Sequence, residues 1–229
     1  MDAREHPMND LGNAFSFPFR DPDWALKFIL GALFLLLCLL GVGIFIIAGY
    51  LIQLTQRVMK NDPQPLPDWT DIGVKFVVGV KFCIVYFLYL LPILVLMIPV
   101  FFIAALGQLE EVSDAVSLIM GIYMFGMMLV IIPYSIAFTL LLPIITYRFA
   151  AHEKLGEALD IAAAIRIFKA NWQVTTVVAL LTVGVQSLAA IGLIFFIIGV
   201  VFTILYSFVV SAYLTGALYR GSQNVEGVA

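Results

Sequence analysis

The groups in this sequence that could do chemistry are few and far apart. His6 and His152 have no clustered acids or thiols beside them, so neither reads as part of a metal site, which needs several converging ligands. Cys38 and Cys83 lie inside apolar runs, where a thiol behaves as a small inert hydrophobe. No nucleophile motif, glycine-rich phosphate loop or HExxH pair is present. Ionisable residues in mid-span usually mark intramembrane chemistry, and none is found. Lys81 comes nearest, one or two turns inside its helix end, where its long stem returns the amine to the surface. Gln53 and Gln186 are the most buried-looking amides, read first as helix–helix hydrogen bonds. No catalytic residue, metal or cofactor is assigned, and an enzyme is not expected.

Two other patterns bear on function. Pro92, Pro99, Pro133 and Pro143 interrupt long apolar stretches. Broken helices expose backbone groups that bind solutes in transporters, although proline also serves as a simple kink in membrane helices. Near the C-terminus Ser207, Ser211 and Thr215 recur at i+4 steps, with Ala212 and Gly216 alongside. Small residues at that spacing let backbones approach, giving a packing face within the chain or an interface with another subunit.

The elements that carry these residues follow from composition. With 63% hydrophobic and 12% charged residues, the 229-residue chain cannot hide its apolar excess in one soluble core. A net charge of -3, mixed in sign, gives no reason to expect a nucleic-acid partner. Four apolar blocks stand out: 25–54, about 76–107, about 116–149, and 174–219. A span takes roughly 20 residues, so the last block must hold two, turning near Ala189–Gly192. The first is either one tilted helix or a short, possibly re-entrant hairpin with arms of about 15 residues turning at Gly41-Val42-Gly43.

Basic residues favour the second reading. Arg57, Lys60, Lys75, Lys81, Arg148, Lys154, Arg166, Lys169 and Arg220 share one side under any arrangement, whereas the turns at 108–114 and near Ala189 carry no Lys or Arg. A hairpin adds Arg4, Arg20 and Lys27, which places all 12 basic residues on the cytoplasmic side. Trp24, Trp69 and Trp172 each stand just before an apolar block, where indole rings favour the headgroup level. Two of them share a pattern: Pro22-Asp23-Trp24 then Lys27-Phe28 and Gly31, and Pro67-Asp68-Trp69 then Lys75-Phe76 and Gly79.

The expected fold is all-α: a polytopic membrane helical bundle of about six apolar passes in three hairpins, with five spans as the alternative. Residues 1–20 read as a polar tail, 21–222 as one transmembrane domain, and 223–229 as a short C-terminal tail. Pro63, Pro65 and Pro67 make the first connector a stiff spacer, and Asp68 reads as the cap of the next helix. In the second, near 153–171, Ile161, Ile165, Phe168 and Trp172 fall on one helical face, flanked by Arg166 and Lys169. That is the pattern of an amphipathic helix lying in the membrane interface.

With these segments placed, the chain resembles the prokaryotic membrane family catalogued as domain of unknown function (DUF) 4013. The residues that carry the likeness are Phe17-Pro-Phe-Arg-Asp-Pro-Asp-Trp24, Ala48-Gly-Tyr-Leu51 with Arg57, and Leu66-Pro-Asp-Trp69 with Asp71. The connector from Leu155-Gly-Glu-Ala-Leu-Asp160 to Ile165-Arg-Ile-Phe-Lys-Ala-Asn171 and the closing Tyr213–Arg220 segment complete it. The turn at Gly41-Val42-Gly43 departs from it, since a proline is expected there. The resemblance implies a compact multi-pass membrane protein and carries no activity.

The function expected from these features is association. The chain reads as a non-enzymatic accessory or scaffolding subunit, or a self-assembling bundle, in the inner membrane with both termini cytoplasmic. Its expected partners are the lipid bilayer and other membrane subunits or copies of itself. A permease for a small uncharged solute is the alternative.

Overall fold

A computed structural model describes residues 7–106, 114–189 and 196–218, and these are helical with short connections. In chain order the helices are α1 (Pro7–Ser16), α2 (Trp24–Leu36), α3 (Gly43–Met59), α4 (Ile72–Leu106), α5 (Asp114–His152), α6 (Leu155–Leu159), α7 (Ile161–Ala170), α8 (Trp172–Ala189) and α9 (Phe196–Leu218). Single 3-10 turns at Phe17–Arg20 and Leu37–Leu40 follow α1 and α2. Among the described residues there is no strand.

The first apolar block is a hairpin rather than one helix. Gly41 takes a left-handed φ of 79°, which glycine adopts without steric cost, and α3 starts two residues later. The turns expected at 108–114 and near Ala189–Gly192 fall almost wholly outside the described residues. Among the described residues, three helices are long and apolar enough to cross a membrane: Ile72–Phe102, Val116–His152 and Gly199–Ala217. A fourth is reached by counting α1 with α2, a pair bent by 99°. Among the described residues length and composition thus give three or four candidate spans, with α3 and α8 as shorter apolar helices, and six passes are not established.

Two bundled layers hold the charged end together. One core gathers Tyr50, Leu54 and Val58 of α3 with Leu205, Val209 and Tyr213 of α9. A second gathers Ile52 of α3, Val78 and Val85 of α4, and Ile145 and Phe149 of α5. Helices α3 and α4 meet at glycine: a Cβ on Gly49 would strike the Lys75 carbonyl, and one on Gly79 the Phe45 carbonyl. Backbones in such contact are the usual way helices pack in lipid.

Residues 7–20 differ from the polar tail expected of them. Ala14 and Phe17 belong to the first core, the Phe17 ring stacks on Tyr213 at 4.3 Å, and the Tyr206 hydroxyl donates to the Phe15 carbonyl at 2.8 Å. Aromatic burial against α9 outweighs the polar residues between. The interfacial connector also differs, being two helices. Glu153 (φ 52°) ends α5, and Asp160 breaks the run by accepting from the Ala163 amide at 3.0 Å to cap α7.

Candidate functional site

Where the first hairpin meets the proline connector, Lys27 is buried and its Nζ lies 2.8 Å from Asp21 Oδ2, 3.0 Å from Asp68 Oδ1 and 3.1 Å from the Leu66 carbonyl. Asp68 is thus a partner for Lys27, not the cap expected; the Asp71 carbonyl accepts from the Val74 and Lys75 amides at the start of α4. The bonded Lys27 ammonium holds the Asp68 carboxyl below the ordinary carboxylate range. Lys75, the counterpart of Lys27 in the repeated pattern, is likewise buried and donates to the Thr70 carbonyl.

The connector is a strap rather than a solvated spacer. Leu66 is buried in the first core, and Arg57 Nη1 donates to its carbonyl at 3.2 Å. Trp69 then inserts between the arms of the first hairpin. Its ring stacks on Tyr50 at 4.2 Å and on Phe34 at 4.7 Å, while its Nε1 donates to the Lys27 carbonyl at 2.7 Å. Gly31 is required beside it, since a Cβ there would lie 3.0 Å from the indole and 2.6 Å from Leu205. A cleft of about 170 Å³ opens next to this site, between α1, the strap and α3, lined among others by Asn13, Arg20, Asp21, Asp62 and Gln64.

The other tryptophans stand apart from it. Trp24 is partly exposed, edge-on to Phe19 and Phe28, and Trp172 is 56% exposed at the start of α8. In α7, Ile161 and Ile165 are exposed, as are Arg166 and Lys169, whereas Phe168 packs with Ile144, Tyr147 and Ala164. The buried face of α7 is Ala163-Ala164, so the bulky stripe points mostly away from the protein.

A second polar junction ties the connector to α5. Arg148 donates from Nε to the Glu157 carbonyl at 2.7 Å and from Nη2 to Glu157 Oε2 at 2.8 Å, with Asp160 Oδ2 at 3.9 Å. Tyr89 of α4 donates to the Ala158 carbonyl at 2.9 Å. Gln56 donates to the Ala150 carbonyl at 2.9 Å and Glu153 Oε1 at 2.8 Å. Gln56, not singled out above, is the helix-bridging amide; Gln186 is exposed. A run of helix-facing apolar neighbours made Gln186 look buried, and only tertiary packing separates the two.

The C-terminal ridge packs within the chain. Ser207 is buried with its Oγ 3.0 Å from the Val185 carbonyl of α8, and Thr55 Oγ1 of α3 lies 3.3 Å from the Ala212 carbonyl. A Cβ on Gly216 would meet the Thr55 carbonyl at 2.8 Å. Ser211 and Thr215 turn their hydroxyls back onto their own helix, donating to the Ser207 and Ser211 carbonyls at 2.8 and 3.0 Å.

The four prolines lie inside unbroken helices, Pro92 and Pro99 in α4, Pro133 and Pro143 in α5. Two of them are met by tyrosines of α5: Tyr134 donates to the Tyr89 carbonyl and Tyr123 to the Leu96 carbonyl, each three residues ahead of a proline. Proline leaves the carbonyl four residues back without its helical donor, here Leu88 and Val95, and each tyrosine bond falls on the next carbonyl of the same turn. His152 sits at the end of α5, and His6 lies outside the described residues. Among the described residues no group of three His, Cys, Asp or Glu could hold a metal ion. The polar clusters are therefore suited to fastening helices together, since each charged group meets a partner of fixed geometry.

No curated protein and no solved structure matches the chain. The family model described as a protein of unknown function (DUF4013) matches residues 32–199, from within α2 to the first residues of α9. The chain belongs to the DUF4013 family.

Proposed function

We propose that this chain is a non-enzymatic integral membrane protein that works by association, as an accessory or scaffolding subunit or a self-assembling bundle. Its three hairpins return both termini to the cytoplasmic side of the inner membrane, in keeping with the distribution of its 12 Lys and Arg. The single observation that supports association is the outer half of the α4–α5 hairpin. There Phe101 and Phe102 of α4 and Leu118, Ile122 and Phe125 of α5 are each about two-thirds exposed. On the same stretch of α5, Gly121 and Gly126 have open space where a Cβ would stand. Lipid tails give helices no hydrophobic reason to associate, so open small residues are where another helix can approach. The serine ridge of α9 no longer supports the reading, because its space is filled by α3 and α8.

Permeation of a small uncharged solute rested on broken helices, and α4 and α5 run continuously through their prolines. Purification in mild detergent tests the association reading. A partner, or a second copy, should co-purify at fixed stoichiometry with the wild-type chain and be lost with Gly126→Leu, while the melting temperature of the chain alone stays unchanged. A monomer without partners, whose melting temperature rises on adding a neutral solute, would favour transport instead.

A further inference from the structure

We infer that the α2–α3 hairpin enters one leaflet only, so that its partner is the acyl chains on the side of the termini; this rests on the membrane reading above. The contacts between α3 and α4 set the depth. Gly49 lies against the Lys75 carbonyl, and Gly79 lies against the Phe45 carbonyl. Four residues back along α3 thus match four forward along α4, so the helices run antiparallel in even register. Continuing that register brings the hairpin tip, Gly41-Val42, level with Cys83 and Phe82 of α4.

The candidate span of α4 runs from Ile72 to Phe102. At about 1.5 Å per residue it is ~46 Å long, close to the 40–45 Å of a bilayer with its headgroups. The tip falls roughly one helical turn short of the midpoint of that span. Because α3 packs along α4, tilting the pair moves both together and leaves this proportion intact.

The surface of the hairpin fits the same depth. Its base carries the Asp21–Lys27–Asp68 cluster and Trp24, groups suited to the headgroup layer. Along α2 and the 3-10 turn that follows it, the exposed residues Leu26, Ile29, Leu33, Leu36 and Leu40 recur every three or four positions and form one apolar stripe. At the tip Leu39 is 87% exposed, which hydrocarbon covers and water would not. Nothing polar caps the tip, as an emergence into the far headgroup layer would require. The hairpin therefore displaces lipid from the near leaflet alone, while α4 and α5 cross both.

Thiol accessibility in right-side-out and inverted membrane vesicles tests this with the full chain. In a Cys38→Ser, Cys83→Ser background, Leu40→Cys and Leu39→Cys each place a thiol at the exposed tip, and Asp114→Cys marks the start of α5. The expected result is that a membrane-impermeant maleimide labels Asp114→Cys from the side opposite the termini and labels neither tip thiol from either side. A fluorophore attached to the tip in detergent should, in phosphatidylcholine vesicles, be quenched by nitroxides on acyl chains more strongly than by nitroxides on headgroups. Tip labelling from the same side as Asp114→Cys would make the hairpin a full crossing, and labelling from the side of the termini would lay it on the surface; either overturns the inference alone. Failure of Asp114→Cys to label from the far side would overturn the spanning α4–α5 hairpin, and the depth argument with it.

Discussion

The Tyr123 hydroxyl of α5 donates to the Leu96 carbonyl of α4 at 2.6 Å, three residues ahead of Pro99. Tyr134 makes the corresponding bond to the Tyr89 carbonyl, three residues ahead of Pro92. Pro92 and Pro99 withhold the donors that would serve the Leu88 and Val95 carbonyls, and each tyrosine of the other helix donates to the next carbonyl in the same turn. Each tyrosine therefore adds a polar partner in a turn of α4 that is short of a backbone donor.

Removing those hydroxyls should loosen the hairpin without unfolding the bundle. Tyr123→Phe and Tyr134→Phe are each expected to cost about 0.5–1.5 kcal/mol, read as a lowered melting temperature in detergent. Pro99→Ala returns a donor to the Val95 carbonyl in the same turn, and should reduce the penalty of Tyr123→Phe. Equal penalties in the proline and alanine backgrounds would separate the tyrosine from the proline.

Trp69 and Trp172 should behave differently although both precede apolar blocks. Trp69→Ala removes a ring stacked between Phe34 and Tyr50 and is expected to cost about 3–5 kcal/mol. Trp172, more than half exposed, should cost under ~0.5 kcal/mol in detergent when replaced by Ala. Thermal melts of the two variants decide it, and similar losses would contradict the strap.

How much of this was legible follows the range of each interaction. The apolar blocks and the glycine turn at 41–43 are local properties of composition and backbone, and both can be read in the sequence. The repeated Pro-Asp-Trp pattern was visible too, but not that Lys27 of the first copy would hold Asp68 of the second. That pairing depends on the strap folding back over the hairpin, which no spacing encodes. The same holds for Gln56 against Gln186, and for residues 7–20, whose aromatic burial against α9 joins opposite ends of the chain.

Acid should weaken the strap in a definite direction. The Asp68 carboxyl titrates below its ordinary range in the folded state because Lys27 bonds its charged form. Its contribution is full above the unfolded carboxylate value and is lost as pH falls through the lower folded one. Asp68 is well exposed, so solvent screening keeps the effect small. The melting temperature of wild type should therefore fall more than that of Asp68→Asn as pH drops below the usual carboxylate range. Parallel curves would show that the pair contributes nothing there.

Gly49→Ala and Gly79→Ala each place a methyl against a backbone carbonyl that cannot rotate away. Both should separate α3 from α4 and lower stability by more than Gly121→Ala, where space is open. A melting temperature for Gly79→Ala at or above that of Gly121→Ala would contradict the close approach.

The central claim, association through the outer half of α5, is tested most directly by a photo-crosslinking residue at Phe125 in native membranes. The account predicts a discrete protein adduct of reproducible size at Phe125, lost when Gly126→Leu is added. Labelling of lipid alone at Phe125, with no protein adduct, would contradict it.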